Sequence, residues 1–199
     1  MTNDDERQRR RERRKRRRLV AITGFLLLSL CMAWFFESQA TTTVIVTRHA
    51  EQAIPAGINP KISREGKRRS FALARVLGTV DVVSGIDAIL IADTKRSSET
   101  VGPLAMRSDA PVITIDDPRD TEALVKKIIY EYKGKVVLVV IDPQLIQPLI
   151  ADMQGSKKLP EIKPDEYDNL YIVSIPWFGK VKTLRLKYGR PYLAKPPEA

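Results

Sequence analysis

The sequence predicts a three-layer α/β/α domain on a mainly parallel sheet, closed by a C-terminal hairpin and preceded by one N-terminal transmembrane helix. Three observations carry this reading. An uncharged run of 18 residues, Leu19 to Phe36, follows directly on a block of arginines. From Thr43 to Met153, short apolar runs alternate with segments of helical period, the pattern of strand-helix units around a parallel sheet. After a polar loop, two last strand-like runs bracket a turn.

Residues 1–18 hold ten Arg or Lys against four Asp or Glu, so they carry +6 of the chain's +10 and leave the rest close to balanced. Almost without apolar side chains and dense in like charge, this tail is expected to be disordered on its own. Such a run also suits nucleic acid or a nuclear import receptor. The segment that follows argues instead for a topology signal. Residues 19–36 form about 27 Å of helix, close to the thickness of a bilayer core, and no basic residue follows until Arg48. The positive-inside rule then keeps the N-terminus cytoplasmic and places residues from about 40 onward outside the cytoplasm, in a single-pass protein of the inner (cytoplasmic) membrane. The arginines would also touch anionic lipid. Ser38-Gln39-Ala40 has the small-x-small form of a signal-peptidase site, which would release the domain near Ala40. Against cleavage, the apolar run exceeds an ordinary signal core, and Trp34-Phe35-Phe36 resembles an interfacial aromatic belt. An uncleaved anchor is the favoured expectation, with 37–42 as linker, 43–190 as the domain and 191–199 as a tail.

Within the domain, Thr43 to Thr47 is a short β-branched strand. Ser63 to Leu77 opens on a cap residue and sets Phe71, Leu73, Ala74 and Leu77 along one side of a helix. Ala88 to Ile91 is a strand, then Lys95 to Met106 a helix; Val112 to Ile115 is a strand, then Asp120 to Tyr132 a helix burying Leu124, Val125, Ile128 and Ile129. Val136 to Ile141 reads VVLVVI, a central strand apolar on both faces, and a helix from Gln144 to Met153 follows. Residues 157–168 form a polar loop with two prolines. Leu170 to Ile175 and Val181 to Tyr188 then flank the turn Pro176-Trp177-Phe178-Gly179-Lys180; in the second strand Leu184, Leu186 and Tyr188 are expected inward, and Thr183, Arg185 and Lys187 outward.

The first strand delivers Arg48 and His49, the only histidine in 199 residues, to its C-terminal end, where open α/β sheets collect their ligands. A guanidinium beside an imidazole suits a phosphate ester, with Arg gripping oxygens while His attacks phosphorus. A chance loop pair reads equally well from the dipeptide alone. One cysteine, Cys31, excludes an internal disulfide, and a single His with a single Cys cannot build a Cys/His metal site. No spacing argues for a carboxylate metal site, and no cofactor or particular protein partner is called for.

Val46 to Glu51, Asn59 to Gly66 and Ala92 to Thr100, in this order after strands and before helices, resemble the histidine phosphatase superfamily with its phosphoglycerate-mutase-like fold. Tyr167 to Val173 and Leu184 to Gly189 are similar to the final hairpin of its short bacterial phosphohistidine-phosphatase-like branch. The resemblance spans about residues 43 to 190. It implies that His49 is the nucleophile that becomes phosphorylated, and that Arg48 and Arg96 bind the phosphate; without it, Arg96 reads as a solvated charge at a helix start. Two arginines and one imidazole supply the positive charge and the in-line nucleophile that phosphoryl transfer needs. Where the family pattern has a glycine, a second histidine and a small hydroxyl residue, this chain has Ile141-Asp142-Pro143.

Asp142 thus stands in place of the second histidine. A carboxylate about 4 Å from one unit of phosphate charge costs roughly 4 kcal/mol at an effective dielectric near 20. Asp142 is expected either to be protonated or to pair with Arg48 or Arg96, occupying the phosphate pocket itself. Ile141 is expected to add bulk where backbone approaches ligand, and Pro143 to remove an N–H that would bind an oxyanion. Glu51 reads either as an acid or as a surface carboxylate. The functional expectation is a membrane-tethered, extracytoplasmic, catalytically impaired phosphate-binding domain. The alternative is an active phosphomonoester hydrolase working through phospho-His49. Its ligand would be a phosphorylated small molecule or a sugar, lipid or other envelope phosphate.

Overall fold

The structure, a computed structural model, describes residues 3–37, 41–54, 58–79 and 85–191, in two compact units, Met1–Gln39 and Ala40–Ala199. The first unit is one helix, α1 (Asn3–Glu37). Its 24-residue stretch Glu12–Phe35 contains an 18-residue window of mean hydropathy 1.9, long and apolar enough by length and composition to cross a membrane. The helix runs back through the basic block to Asn3, where disorder was expected. Arg, Lys, Glu and Gln are good helix formers, and extending a helix already nucleated by its apolar half costs far less than starting one. The Ser38-Gln39-Ala40 motif and most of the 191–199 tail lie outside the described residues.

The second unit is a six-stranded sheet in the order β3-β2-β4-β1-β5-β6. These strands are β1 (Thr42–Arg48), β2 (Ala88–Ala92), β3 (Val112–Ile115), β4 (Val136–Ile141), β5 (Asn169–Ile175) and β6 (Lys182–Lys187). The two most β-branched runs occupy the middle, β1 pairing parallel with β4 from Thr43↔Val136 to Arg48↔Ile141. On its other side β1 pairs antiparallel with β5, from Thr42↔Ile175 to Thr47↔Leu170, so the final hairpin extends an otherwise parallel sheet.

Four helices cover the two faces. α2 (Arg64–Gly78) is capped by Ser63, α3 (Lys95–Ala105) by Thr94 and α4 (Thr121–Glu131) by Asp120, each side chain accepting a backbone N–H of the first turn. α5 (Pro143–Asp152) starts with proline at its first position, the one interior place where a missing N–H costs nothing. Alternate residues of the central strands feed separate cores. Val44, Val46, Val137 and Val139 pack with Leu124, Ile128, Ile146 and Leu149; Ile45, Leu138 and Val140 pack with Leu73, Leu77, Val101 and Leu104. The three-layer arrangement follows. Gly66 allows α2 to pass close beneath the loop after β1, since a Cβ there would collide with the Glu51 carbonyl oxygen.

Four side chains depart from expectation. Phe71 is 65% exposed, because the buried stripe of α2 phases on Ser70, Leu73, Ala74 and Leu77. Ser70 takes the inward place by donating its hydroxyl to the Thr100 carbonyl at 2.8 Å. Ile129 is 45% exposed, one step beyond the α4 stripe of Leu124, Val125 and Ile128. Leu184 and Leu186 are exposed although Tyr188 is buried. On β6 the polar side chains are the ones engaged: Arg185 Nη2 donates to Glu166 Oε1 at 2.7 Å, and Lys187 Nζ donates to Glu166 and to Asp168 Oδ1.

Glu166 therefore ties the 163–168 loop to the hairpin. Burial pushes its pKa up, but the Lys187 contact and the Lys163 N–H outweigh this and hold it down at about 2, against an ordinary 4.5. A depressed carboxylate pKa stabilises the fold fully above the unfolded value and loses that contribution as pH falls through the folded one. Glu166→Gln should lower unfolding free energy by about 1–3 kcal/mol at neutral pH. In urea titrations, its deficit relative to wild type should shrink between pH 4.5 and about 2; a constant deficit would refute the assignment.

Candidate active site

β1 ends at Arg48, and the chain then turns out of the sheet through His49 and Ala50, all three buried. The turn is fixed from α3: Ala50 N donates to Thr100 Oγ1 at 2.9 Å, and that hydroxyl donates on to the Arg96 carbonyl at 2.6 Å. Thr100 thereby sets His49 and Arg96 relative to each other. His49 Nδ1 lies 3.0 Å from the Ala50 carbonyl; a carbonyl only accepts, so Nδ1 carries the proton and Nε2 faces the cleft.

Arg48 is 5% exposed. Its Nη1 donates to the carbonyls of Pro164 at 2.9 Å, Glu166 at 3.2 Å and Lys163 at 3.4 Å. Its guanidinium lies over the Tyr167 ring, 3.8 Å from the centroid. Burial lowers the Arg48 pKa, opposed by Tyr167 and Glu51. Arg96, second residue of α3, donates Nη1 to Gln52 Oε1 at 3.1 Å. The Nε atoms of both arginines are buried with no hydrogen-bond partner among the described residues. Both arginines line the cleft with His49, so two guanidinium groups and one imidazole converge on it, and each buried Nε left unpartnered costs about 1–3 kcal/mol.

Asp142 closes this cleft from the end of β4. It sits at the N-cap position of α5 but makes no capping hydrogen bond, forgoing about 1 kcal/mol. Its Oδ1 lies instead 3.3 Å from His49 Nε2 and 3.9 Å from Arg96 Nη2. Of the two arginines expected as alternative partners, Asp142 reaches Arg96, with His49 nearer still, while the 163–166 carbonyls hold Nη1 of Arg48. Protonation is not what the site favours: the His49 hydrogen bond lowers the Asp142 pKa against burial, with Arg96 and Arg48 adding to the effect. Ile141 does not intrude. Its side chain is fully buried in the core with Val137, Val139 and Ile146, because the residue before Asp142 points to the opposite sheet face. Pro143 lines the cleft at the first position of α5 and offers it no backbone N–H. Glu51 accepts from Arg69 Nε at 2.7 Å, outside the cleft, and is structural.

The cleft holds about 780 Å³ and is lined further by Gln52, Gln144, Gln147, Glu161, Ile162 and Tyr167. Sequence reasoning singled out none of these as site residues. Gln52 and Tyr167 carried no usable signal, since each acts only through an arginine distant in sequence. Among the described residues no group of three or more His, Cys, Asp and Glu could hold a metal ion.

No protein-family model and no curated protein matches the chain. Solved structures do. The protein histidine phosphatase SixA complexed with tungstate superposes with TM-score 0.60 at 17% identity, covering 73% of this chain and 96% of its own. A mycobacterial glucosyl-3-phosphoglycerate phosphatase gives 0.53 at 15%, covering 67% and 90%. Phosphoserine phosphatase from Entamoeba histolytica, in complex with 3-phosphoglyceric acid, gives 0.51 at 12%, covering 69% and 95%. From β1 to β6 the chain shares the fold of these solved structures, the phosphoglycerate-mutase-like fold.

Proposed function

We propose that this chain is a membrane-tethered, extracytoplasmic phosphate-binding module whose hydrolytic site is impaired. The single observation that supports the impairment is the contact of Asp142 Oδ1 with His49 Nε2 at 3.3 Å. With Nδ1 committed to Ala50, this contact is a hydrogen bond only when Nε2 carries a proton, and then the lone pair needed to attack phosphorus is absent. When Nε2 is bare, two lone pairs oppose each other. The same carboxylate oxygen lies 3.9 Å from Arg96 Nη2, where a phosphoryl oxygen would have to sit. Asp142 also cannot protonate a leaving alkoxide at neutral pH, because its pKa is lowered.

Phosphate binding rests on the two arginines, Arg48 and Arg96, that line the cleft beside His49. A neighbour of the same fold binding tungstate, a tetrahedral oxyanion, and another binding a phosphorylated acid support that ligand class. The tether rests on the apolar stretch of α1 and the arginines before it. A second reading, slow phosphomonoester hydrolysis through phospho-His49, is favoured by the Nδ1 hydrogen bond to Ala50, which aims Nε2 at the cleft as a nucleophile requires.

An assay with an aryl phosphate separates the two. Wild type and His49→Ala should be indistinguishable, whereas Asp142→His should gain about 10- to 1,000-fold by replacing a repelling charge with a donor, and lose it again when His49→Ala is added. Robust wild-type turnover abolished by His49→Ala would establish the hydrolase instead. Orthophosphate should raise the thermal midpoint of wild type, by up to about 2.7 kcal/mol of stabilisation at 100 times Kd, and Arg96→Ala should remove the shift. No shift in wild type would exclude phosphate as ligand.

A further inference from the structure

The parallel strands point their C-terminal ends at the phosphate cleft, so their N-terminal ends define an opposite edge of the sheet. The register Thr42↔Ile175 puts the β5–β6 turn at that opposite edge, beside the residue where the chain enters the domain. This turn carries Trp177, 54% exposed, and Phe178, 82% exposed. Gly179 takes φ +111° and has no heavy atom near its missing Cβ, which lets the tip turn sharply with both aromatic side chains outward.

The surroundings are basic. Lys180 and Lys182 adjoin the tip and are exposed. Ser156 N donates to Thr183 Oγ1 at 2.9 Å, bringing exposed Lys157 and Lys158 alongside. Exposed Lys135 precedes β4 and its carbonyl accepts from Thr43 N at 2.9 Å. No Asp or Glu occurs from Gln154 to Pro160 or from Ile175 to Lys187.

Five residues separate Phe36 from Thr42, a span of at most about 20 Å even fully extended. The seven-residue β1 adds about 23 Å before the phosphate site is reached. Exposed Trp and Phe with exposed lysines along the same sheet edge, the edge at which β1 begins a few residues after an apolar helix, match the chemistry of an interfacial anchor.

We propose that the β5–β6 tip is a membrane-docking surface, with Trp177 and Phe178 entering the headgroup region of an anionic phospholipid bilayer and Lys180, Lys182, Lys157, Lys158 and Lys135 contacting its phosphates. Docking there stands the domain on the bilayer with the phosphate cleft facing away from the surface. This inference rests on the tether proposed above.

The test uses the full chain carrying Trp34→Phe, which leaves Trp177 as its single tryptophan, reconstituted into vesicles of brominated phosphatidylcholine with phosphatidylglycerol. Trp177 fluorescence should be quenched by the bromolipid. Lys180→Gln with Lys182→Gln should shift the docked-to-undocked ratio about 30-fold toward the undocked state, relieving the quenching. Protein that floats with the vesicles while Trp177 stays unquenched overturns docking and leaves the tether standing. Trp177 shielded from aqueous iodide yet unquenched by bromolipid overturns it in favour of a protein cover, such as a second copy. Failure to float with vesicles overturns the tether and the docking together.

Discussion

Burying the Arg48 guanidinium at the end of the central strand is the constraint on which the rest of the domain turns. A cation that is 5% exposed must be given acceptors. The chain supplies them from far away, with the Lys163, Pro164 and Glu166 carbonyls and the face of Tyr167. That loop has no regular structure of its own and is held by Glu166, whose carboxylate is gripped by Arg185 and Lys187 of the last strand. The final hairpin is thus part of the site's foundation although it contributes no atom to the cleft.

The same commitment shapes the electrostatics of the cleft. The loop carbonyls hold Nη1 of Arg48, and Asp142 contacts His49 and Arg96. A residue at an N-cap position ordinarily satisfies its own helix; Asp142 instead leaves the first turn of α5 uncapped and turns to the imidazole. Its charge is held by these neighbours, so the cleft combines two cationic groups with a fixed anion. Under the proposed function, a tetrahedral oxyanion would enter this cleft only in competition with the protein's own carboxylate.

The position of α3 links fold to site. Its cap, Thr94, starts the helix so that Arg96 falls on the cleft and Thr100, one turn later, reaches the Ala50 amide. Helix start, arginine and histidine loop are therefore set by one short segment. Glu99 extends the same network by accepting the Ile62 N–H at 2.8 Å, and so fixes the approach to α2.

The sequence by itself determined the strand and helix order, the central place of the VVLVVI run, the helix apolar enough to span a bilayer, and the delivery of Arg48 and His49 to the C-terminal end of the first strand. These depend on period, local composition and adjacency, which are properties of neighbouring residues. It misplaced what depends on partners from other elements. Leu184 and Leu186 alternate as an inward face should, yet no helix covers that part of the edge strand, whereas Arg185 and Lys187 have anions from the 163–168 loop. Tertiary structure alone decided that Asp142 meets His49, because only the parallel register of β1 with β4 sets the residues after Arg48 and Ile141 side by side, and that Arg48 Nη1 goes to the carbonyls of a loop over 100 residues away.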